Sequence, residues 1–324
     1  MLNSNEILGI VNDSIGRLPF DRKPQSLYEP IKYVLSLGGK RMRPVLMLLA
    51  YNLFKDDPQS ILSQACGLET YHNYTLLHDD LMDRADMRRG KPTVHKKWND
   101  NTAVLSGDTM LIMAFRHIMD CPCRRQADVL RLFARSAQEI CEGQQYDVNF
   151  ETRTDVTEAE YIEMIRLKTS VLLGCAVQMG ALIADAPDAD CRALYRFAEK
   201  VGLAFQLQDD YLDVYGDPKV FGKKIGGDIL CAKKTFLLIN ALNRADDATR
   251  SRLLQLLDDS GCEPEAKIQA VTGLDDQLGI PALTLQAIDR YYAEAHTELQ
   301  ALSLPQEQWQ PLWDYACSLL GRNK

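Results

Sequence analysis

Residues 76–90 read "LLHDDLMDRADMRRG". Asp79 and Asp83 stand four apart, so on a helix they share a face, where two like charges destabilise it unless something outside the helix offsets the repulsion. The flanks of this stretch are apolar ("YTLLHDDLM"), which places the carboxylates against the buried side of the element rather than on a solvated face. Working outward, apolar residues recur at spacings of three and four, as in Ile7, Ile10, Val11 and Ile15, or Val129, Leu132, Phe133 and Ile140. Alternating strand patterns are absent. Pro19, Pro24, Pro58, Pro122, Pro187, Pro218, Pro281 and Pro305 cut the chain into helical segments joined mostly by short connections. With no Gly/Ser linker and no shift of composition, residues 1–324 read as one all-α domain, a single large helical bundle.

The 324 residues carry a formal charge of −8, which argues against a nucleic-acid partner bound through a general basic field and supplies no polybasic segment for a membrane surface. An anionic ligand must then be held by local basic residues. Among nine cysteines the only close pair is Cys121 and Cys123, and the set reads as buried or free thiols of a reducing compartment rather than a zinc site or a disulfide framework. The first residues, "MLNSNEILGIVNDSIG", show no cationic start followed by an apolar run, so a cytoplasmic protein is expected. The most apolar window, residues 170–186, is interrupted by Gln178 and falls short of the roughly 20 residues a bilayer needs, so it reads as a buried helix with no membrane span.

A second acidic stretch, "FQLQDDYLDVYGD" at 205–217, repeats with Asp209, Asp210 and Asp213 the spacing of Asp79, Asp80 and Asp83. One acidic pair is ordinarily a solvated helix face. Two, both inside apolar runs, suggest facing helices that cage hard divalent cations, since Mg²⁺ is typically held by one or two carboxylates together with substrate phosphates. Three basic groups supply the other half: Lys40, Arg41 and Arg43 in "LGGKRMRP", Arg88 and Arg89 in "RRGKPTVH", and Lys223, Lys224, Lys233 and Lys234 in "FGKKIGGDILCAKKT". Each alone reads as a charged turn. Together they suggest one anion held through metals and a second held directly by Arg and Lys.

"GGKRMRP", "LLHDDLMD" with "RRGKPTVH", "LKTS", "FQLQDDYLD" and "GKKIGGDILCAKKT" together resemble, in order and spacing, the signatures of the trans-isoprenyl diphosphate synthases, the farnesyl and geranylgeranyl diphosphate synthases among them. "LSGD" and "GQQYD" resemble further family segments. The likeness implies an isoprenoid-synthase bundle with a central active-site cavity, several Mg²⁺ ions per site, and head-to-tail condensation of isopentenyl diphosphate with an allylic diphosphate (dimethylallyl, geranyl or farnesyl) by a homodimer. It implies metal ligation by Asp79, Asp83 and Asp209, with Asp80, Asp210 and Asp213 in support. It implies that Arg88, Lys168, Thr169, Gln206, Lys223 and Lys233 hold the allylic diphosphate, and that Gly39, Lys40, Arg43, His72 and Arg89 form the isopentenyl diphosphate pocket. Which of Lys223 and Lys224 reaches the diphosphate stays open. Ala232 departs from the family's frequent glycine at that place.

Tyr74 and Thr75, five and four residues before Asp79, would set product length, and one bulky residue beside a small one resembles the geranylgeranyl type, with farnesyl next. Tyr74 as a plain core aromatic is the alternative. Two other readings compete: a terpene cyclase or head-to-head condensing enzyme, which would carry a different second metal motif, and a non-catalytic partner subunit, which would lack one of the clusters.

Overall fold

In the computed structural model, which describes residues 2–121, 123–217, 225–259 and 261–321, the chain is helical almost throughout. Among the described residues the only strands are a two-residue ribbon, so the period of three to four seen in the sequence is realised as helix. Two compact units emerge: one comprises residues 1–133, 176–191 and 307–312, the other 134–175, 192–306 and 313–324.

The first unit begins with α1 (Ser4–Gly16), started by a reciprocal capping box between Asn3 and Glu6. Next come α2 (Gln25–Ser36) and α3 (Met42–Asn52), the latter buried on every side from Arg43 to Asn52. The aspartate helix α4 (Leu62–Met82) lies antiparallel to α6 (Asp100–Met119). Near the start of α4, Gln64 donates to the His117 carbonyl at 3.1 Å and Ser63 meets His117 Nδ1 at 3.0 Å; near its end, His78 meets the Val104 carbonyl at 3.3 Å. Between them the ribbon β1 (Met87–Arg88) and β2 (Lys91–Pro92) turns through Arg89 and Gly90, both at positive φ (52° and 72°), as a tight two-residue hairpin requires, and the short α5 (Val94–Lys97) follows.

The second unit takes most of α7 (Gln126–Phe150) and of the long α10 (Asp188–Tyr215). Helix α8 (Glu158–Ile165), capped by Thr157 and Glu160, runs through a π turn at Arg166–Ser170 into α9 (Val171–Ile183). That run, Glu158–Ile183, is long and apolar enough to cross a membrane, yet 78% of its most apolar window is buried inside the protein, as the window from Ser170 suggested. After α10 come α11 (Gly227–Leu230), α12 (Phe236–Arg244), α13 (Asp247–Asp258), α14 (Pro264–Gln277), α15 (Ile280–Gln300) and α16 (Gln306–Leu320). One core of this unit packs Phe150, Tyr161, Leu203, Leu207, Phe236 and Tyr291 together, which fixes α10 against α8 and α12.

Candidate active site

In the first unit Asp79 and Asp83 do share a face. The Asp83 N–H donates to the Asp79 carbonyl at 2.9 Å, the direct signature of the i, i+4 register, and Asp83 caps the helix, exposed. Arg84, at φ 53°, then turns the chain so that the ribbon folds back on the aspartates. Arg88 reaches Asp80 Oδ1 through Nε (2.9 Å) and Nη2 (2.6 Å), and Asp79 Oδ2 lies 3.6 Å from the same Nη2. Burial raises the Asp80 carboxyl above its ordinary range, and the Arg88 guanidinium pulls it back down.

The basic pocket has its own internal logic. Arg41 is not part of it: its guanidinium is sunk in the unit, paired with Glu69 at 2.7 Å and donating to the Leu35 carbonyl at 2.7 Å, and so anchors the start of α3 to α4. Arg43, 7% exposed, is different, for its buried Nε finds no hydrogen-bond partner among the described residues. Burial lowers its ionisation to about 10, with Glu69 acting in the opposite sense. Burial first, and then Arg43, Arg89, Arg88 and Arg41, hold His72 well below its usual value, so its imidazole is neutral at physiological pH. Arg89 donates to the Gly38 carbonyl. Gly39 sits at φ 133°, a backbone conformation that favours glycine, and the end of the Arg89 side chain lies against it. Lys40 is part-buried next to it, and a cavity of about 460 Å³ opens beside Arg89 between Tyr33, Lys91 and Lys97. Tyr74 lies in an aromatic run, edge-on to His78 at 4.8 Å and tilted on Tyr71 at 5.5 Å, while the Thr75 hydroxyl donates to the His72 carbonyl.

The second unit holds the other aspartate stretch. "LKTS" is the π turn itself, a break in helical register of the kind that gathers at functional sites. It turns Lys168 onto Asp147 Oδ2 at 2.6 Å and Thr169 onto Gln206 Oε1 at 3.2 Å, and Gln206 in turn donates to Asp210 at 3.1 Å. A side chain at Gly143 would collide with the Lys168 backbone, so the glycine of "GQQYD" lets the two helices meet. Asp210 is 3% exposed and accepts from the Tyr161 hydroxyl and from the Phe236 N–H at 3.3 Å. Burial and the neighbouring Asp228 push its carboxyl up to about 7. Asp213 spends Oδ2 on the N–H of Asp228 at 2.9 Å and so starts α11. Asp209 is part-exposed on the same helix, and Lys233 is exposed past α11. Lys223 and Lys224 lie outside the described residues.

Among the described residues no three His, Cys, Asp or Glu side chains converge as a ready-made metal cage. The donors offered are carboxylate oxygens alone, and in each stretch two of them share a helix face. Such a set fits a hard cation that completes its shell with water and phosphate oxygens. Reading the sequence missed Asp147, Tyr161 and Asp228. Asp147 closes "GQQYD" and Asp228 follows the paired glycines of "IGGD", so both had a signal; Tyr161 had none.

An all-helical chain with two such aspartate pairs, a buried Arg43 and a neutral histidine among arginines fits a diphosphate-handling synthase. The chain matches the polyprenyl synthetase family over residues 24–274. It is 42% identical over 250 residues to a short chain isoprenyl diphosphate synthase of Methanocaldococcus jannaschii, covering 77% of this chain and 76% of that one. It is 41% identical over 229 residues to a geranylgeranyl diphosphate synthase of Methanosarcina mazei, 70% of each. The crystal structure of a geranylgeranyl pyrophosphate synthase aligns over the whole of both chains with a TM-score of 0.92 at 40% identity. The chain belongs to the polyprenyl synthetase family and is a trans-isoprenyl diphosphate synthase, a prenyltransferase of a family that works with metal ions.

Proposed function

We propose that this enzyme condenses isopentenyl diphosphate head-to-tail with an allylic diphosphate and releases geranylgeranyl diphosphate as its main product, with farnesyl diphosphate next. The observation that carries the reading is the buried Arg43 with its unpartnered Nε, beside a neutral His72 and the Gly39–Arg89 contact. A buried cation left short of a partner is costly unless an anion completes it, and a diphosphate does. Gly39, Lys40, Arg43, His72 and Arg89 bind isopentenyl diphosphate in this reading. Arg88, Lys168, Thr169, Gln206, Lys223 and Lys233 bind the allylic diphosphate, with Arg88 and Lys168 oriented beforehand by Asp80 and Asp147. Asp79, Asp83 and Asp209, with Asp80, Asp210 and Asp213 in support, would hold Mg²⁺, which would supply positive charge to the departing diphosphate. The allylic C–O bond breaks, the isopentenyl double bond attacks the resulting cation, and the proton lost goes to the released diphosphate.

The product assignment rests on Tyr74, which stands five residues before Asp79 with the smaller Thr75 beside it, and on the printed names of the relatives. Tyr74→Ala should lengthen the product, read by chromatography of the dephosphorylated prenols; an unchanged distribution would remove Tyr74 from that role. A homodimer is part of the proposal. Leu105, Ile112 and Met119 repeat every seven residues along α6 at 59%, 60% and 51% exposure, an apolar stripe suited to a second copy, and a monomeric mass by light scattering would contradict it. The cytoplasm is the proposed location. Incubation of the purified protein with Mg²⁺, isopentenyl diphosphate and farnesyl diphosphate tests the activity: a synthase releases diphosphate and a longer linear prenyl diphosphate, a cyclase gives a cyclic product without using isopentenyl diphosphate, and a partner subunit gives neither.

A further inference from the structure

The proposed reaction makes no use of Cys121 and Cys123, although they form the sharpest piece of chemistry in the first unit outside the diphosphate-binding residues. Their sulfurs lie 3.1 Å apart, and every described cysteine is a free thiol. Cys121, 6% exposed, stands two residues past the end of α6; Cys123 is part-exposed three residues before α7. The residues flanking the pair are held in place. Arg124 grips Asp185 with Nε at 2.9 Å and with Nη2, Arg125 reaches Asp188 at 2.7 Å and the Ala186 carbonyl at 3.3 Å, and Gln126 donates to the Met119 carbonyl. These bonds tie the connection between α6 and α7 to the one between α9 and α10, within the same unit, so the frame and not chance proximity keeps the sulfurs together. No histidine or carboxylate joins them, among the described residues, to make a metal site.

We propose that Cys121 and Cys123 are a reversible redox site that closes to an intrachain disulfide by exchange with a small-molecule disulfide such as glutathione disulfide. The part-exposed Cys123 thiolate attacks the oxidant, forms a mixed disulfide and releases one thiolate. Cys121 then gives up its proton and attacks the Cys123 sulfur, and the second glutathione leaves as thiolate, so two protein thiols are oxidised while one disulfide is reduced to two thiols. The two cysteines are unequal in a way that fits these roles, since burial and the neighbouring Cys123 push the Cys121 thiol up and make it the resolving partner rather than the attacker. The pair lies beyond the His117 end of α6, level with the start of α4. Asp79 stands near the other end of α4, about 25 Å away along the helix, so the exchange leaves the carboxylates undisturbed and is read at the thiols themselves.

The test uses the full-length protein equilibrated in glutathione buffers of increasing oxidised fraction, quenched with an alkylating agent and digested with trypsin. The peptide spanning residues 117–124, "HIMDCPCR", contains these two cysteines and no other. The expected result is a passage from the doubly alkylated peptide to an unalkylated one lighter than the dithiol form by two hydrogens, reversed by dithiothreitol, with turnover unchanged. In Cys121→Ser the reaction should halt at glutathione attached to Cys123. A wild-type peptide that stays doubly alkylated at every ratio would overturn the proposal, and so would one that accumulates glutathione on Cys123 while Cys121 remains alkylated.

Discussion

Asp80 and Asp210 occupy the same place in two stretches of identical aspartate spacing, and the protein treats them differently. Asp80 is met by a cation, with two guanidinium nitrogens of Arg88 on one oxygen. Asp210 is met by neutral donors, namely the Tyr161 hydroxyl, the Gln206 amide and the Phe236 N–H, with Asp228 adding charge of its own sign. The first cluster is thus partly neutralised by the protein itself. In the second, burial and Asp228 push Asp210 up to about 7, with Lys233 and the hydrogen bonds from Tyr161 and Gln206 pulling the other way. Equal spacing in a sequence fixes which carboxylates share a helix face but says nothing of how their charge is balanced, because the balancing groups come from other segments.

The largest way to break this contrast is to remove the cation. Arg88→Met leaves Asp80, whose side chain is 8% exposed, without its partner and should destabilise the metal-free protein by about 2–3 kcal/mol, part of the usual cost being relieved by the exposure of Arg88. Chemical denaturation measures it; a loss below about 0.5 kcal/mol would show that Arg88 does not balance Asp80.

The pH dependence sharpens the other side. Because the folded-state value of Asp210 is raised, to about 7 from an ordinary 3.8, the native protein holds a proton that the unfolded chain has lost, and stability falls as pH rises between those values and levels off above them. In Asp210→Asn the metal-free protein should therefore gain melting temperature over wild type as pH is raised from 5 to 8 (roughly the window in which the native carboxyl ionises). Asp275, also raised to about 7 by burial and Asp276, leaves a residual slope in the variant. Parallel melting curves of the two proteins across that window would refute the assignment.

The smallest effect concerns the chain just past the second cluster. Ala232 sits at φ 50°, in the left-handed region where a Cβ is strained. Ala232→Gly should stabilise the protein by up to about 1 kcal/mol, the relief of strain being partly cancelled by the greater entropy of the unfolded glycine chain. Differential calorimetry reads the change, and a lowered melting temperature would contradict it.

These residues also show what could be read in advance. The helical fold, the shared face of Asp79 and Asp83, and the grouping of Lys168, Thr169 and Gln206 follow from spacing and from family signatures, which are properties of short segments. Arg41 could not be told from Arg43, since both stand in one basic turn and only packing decides which guanidinium is sunk onto Glu69. The π turn at Arg166–Ser170 lies in a stretch with no glycine or proline to mark it, and the second use of Asp213, holding the Asp228 N–H, depends on a residue fifteen positions later in the chain. Ala232 was noted as a departure from glycine, but its positive φ is a property of the folded backbone.

The central claim is that both aspartate clusters serve one reaction, and single-turnover condensation of isopentenyl diphosphate with an allylic diphosphate by Asp79→Ala and by Asp209→Ala, with Mg²⁺ titrated, tests it most directly. Each variant should lose on the order of a thousandfold in rate while keeping its helical circular dichroism, and the metal-free melting temperature should hold or rise as the like-charge repulsion is relieved. Near-normal turnover in either variant would contradict the claim.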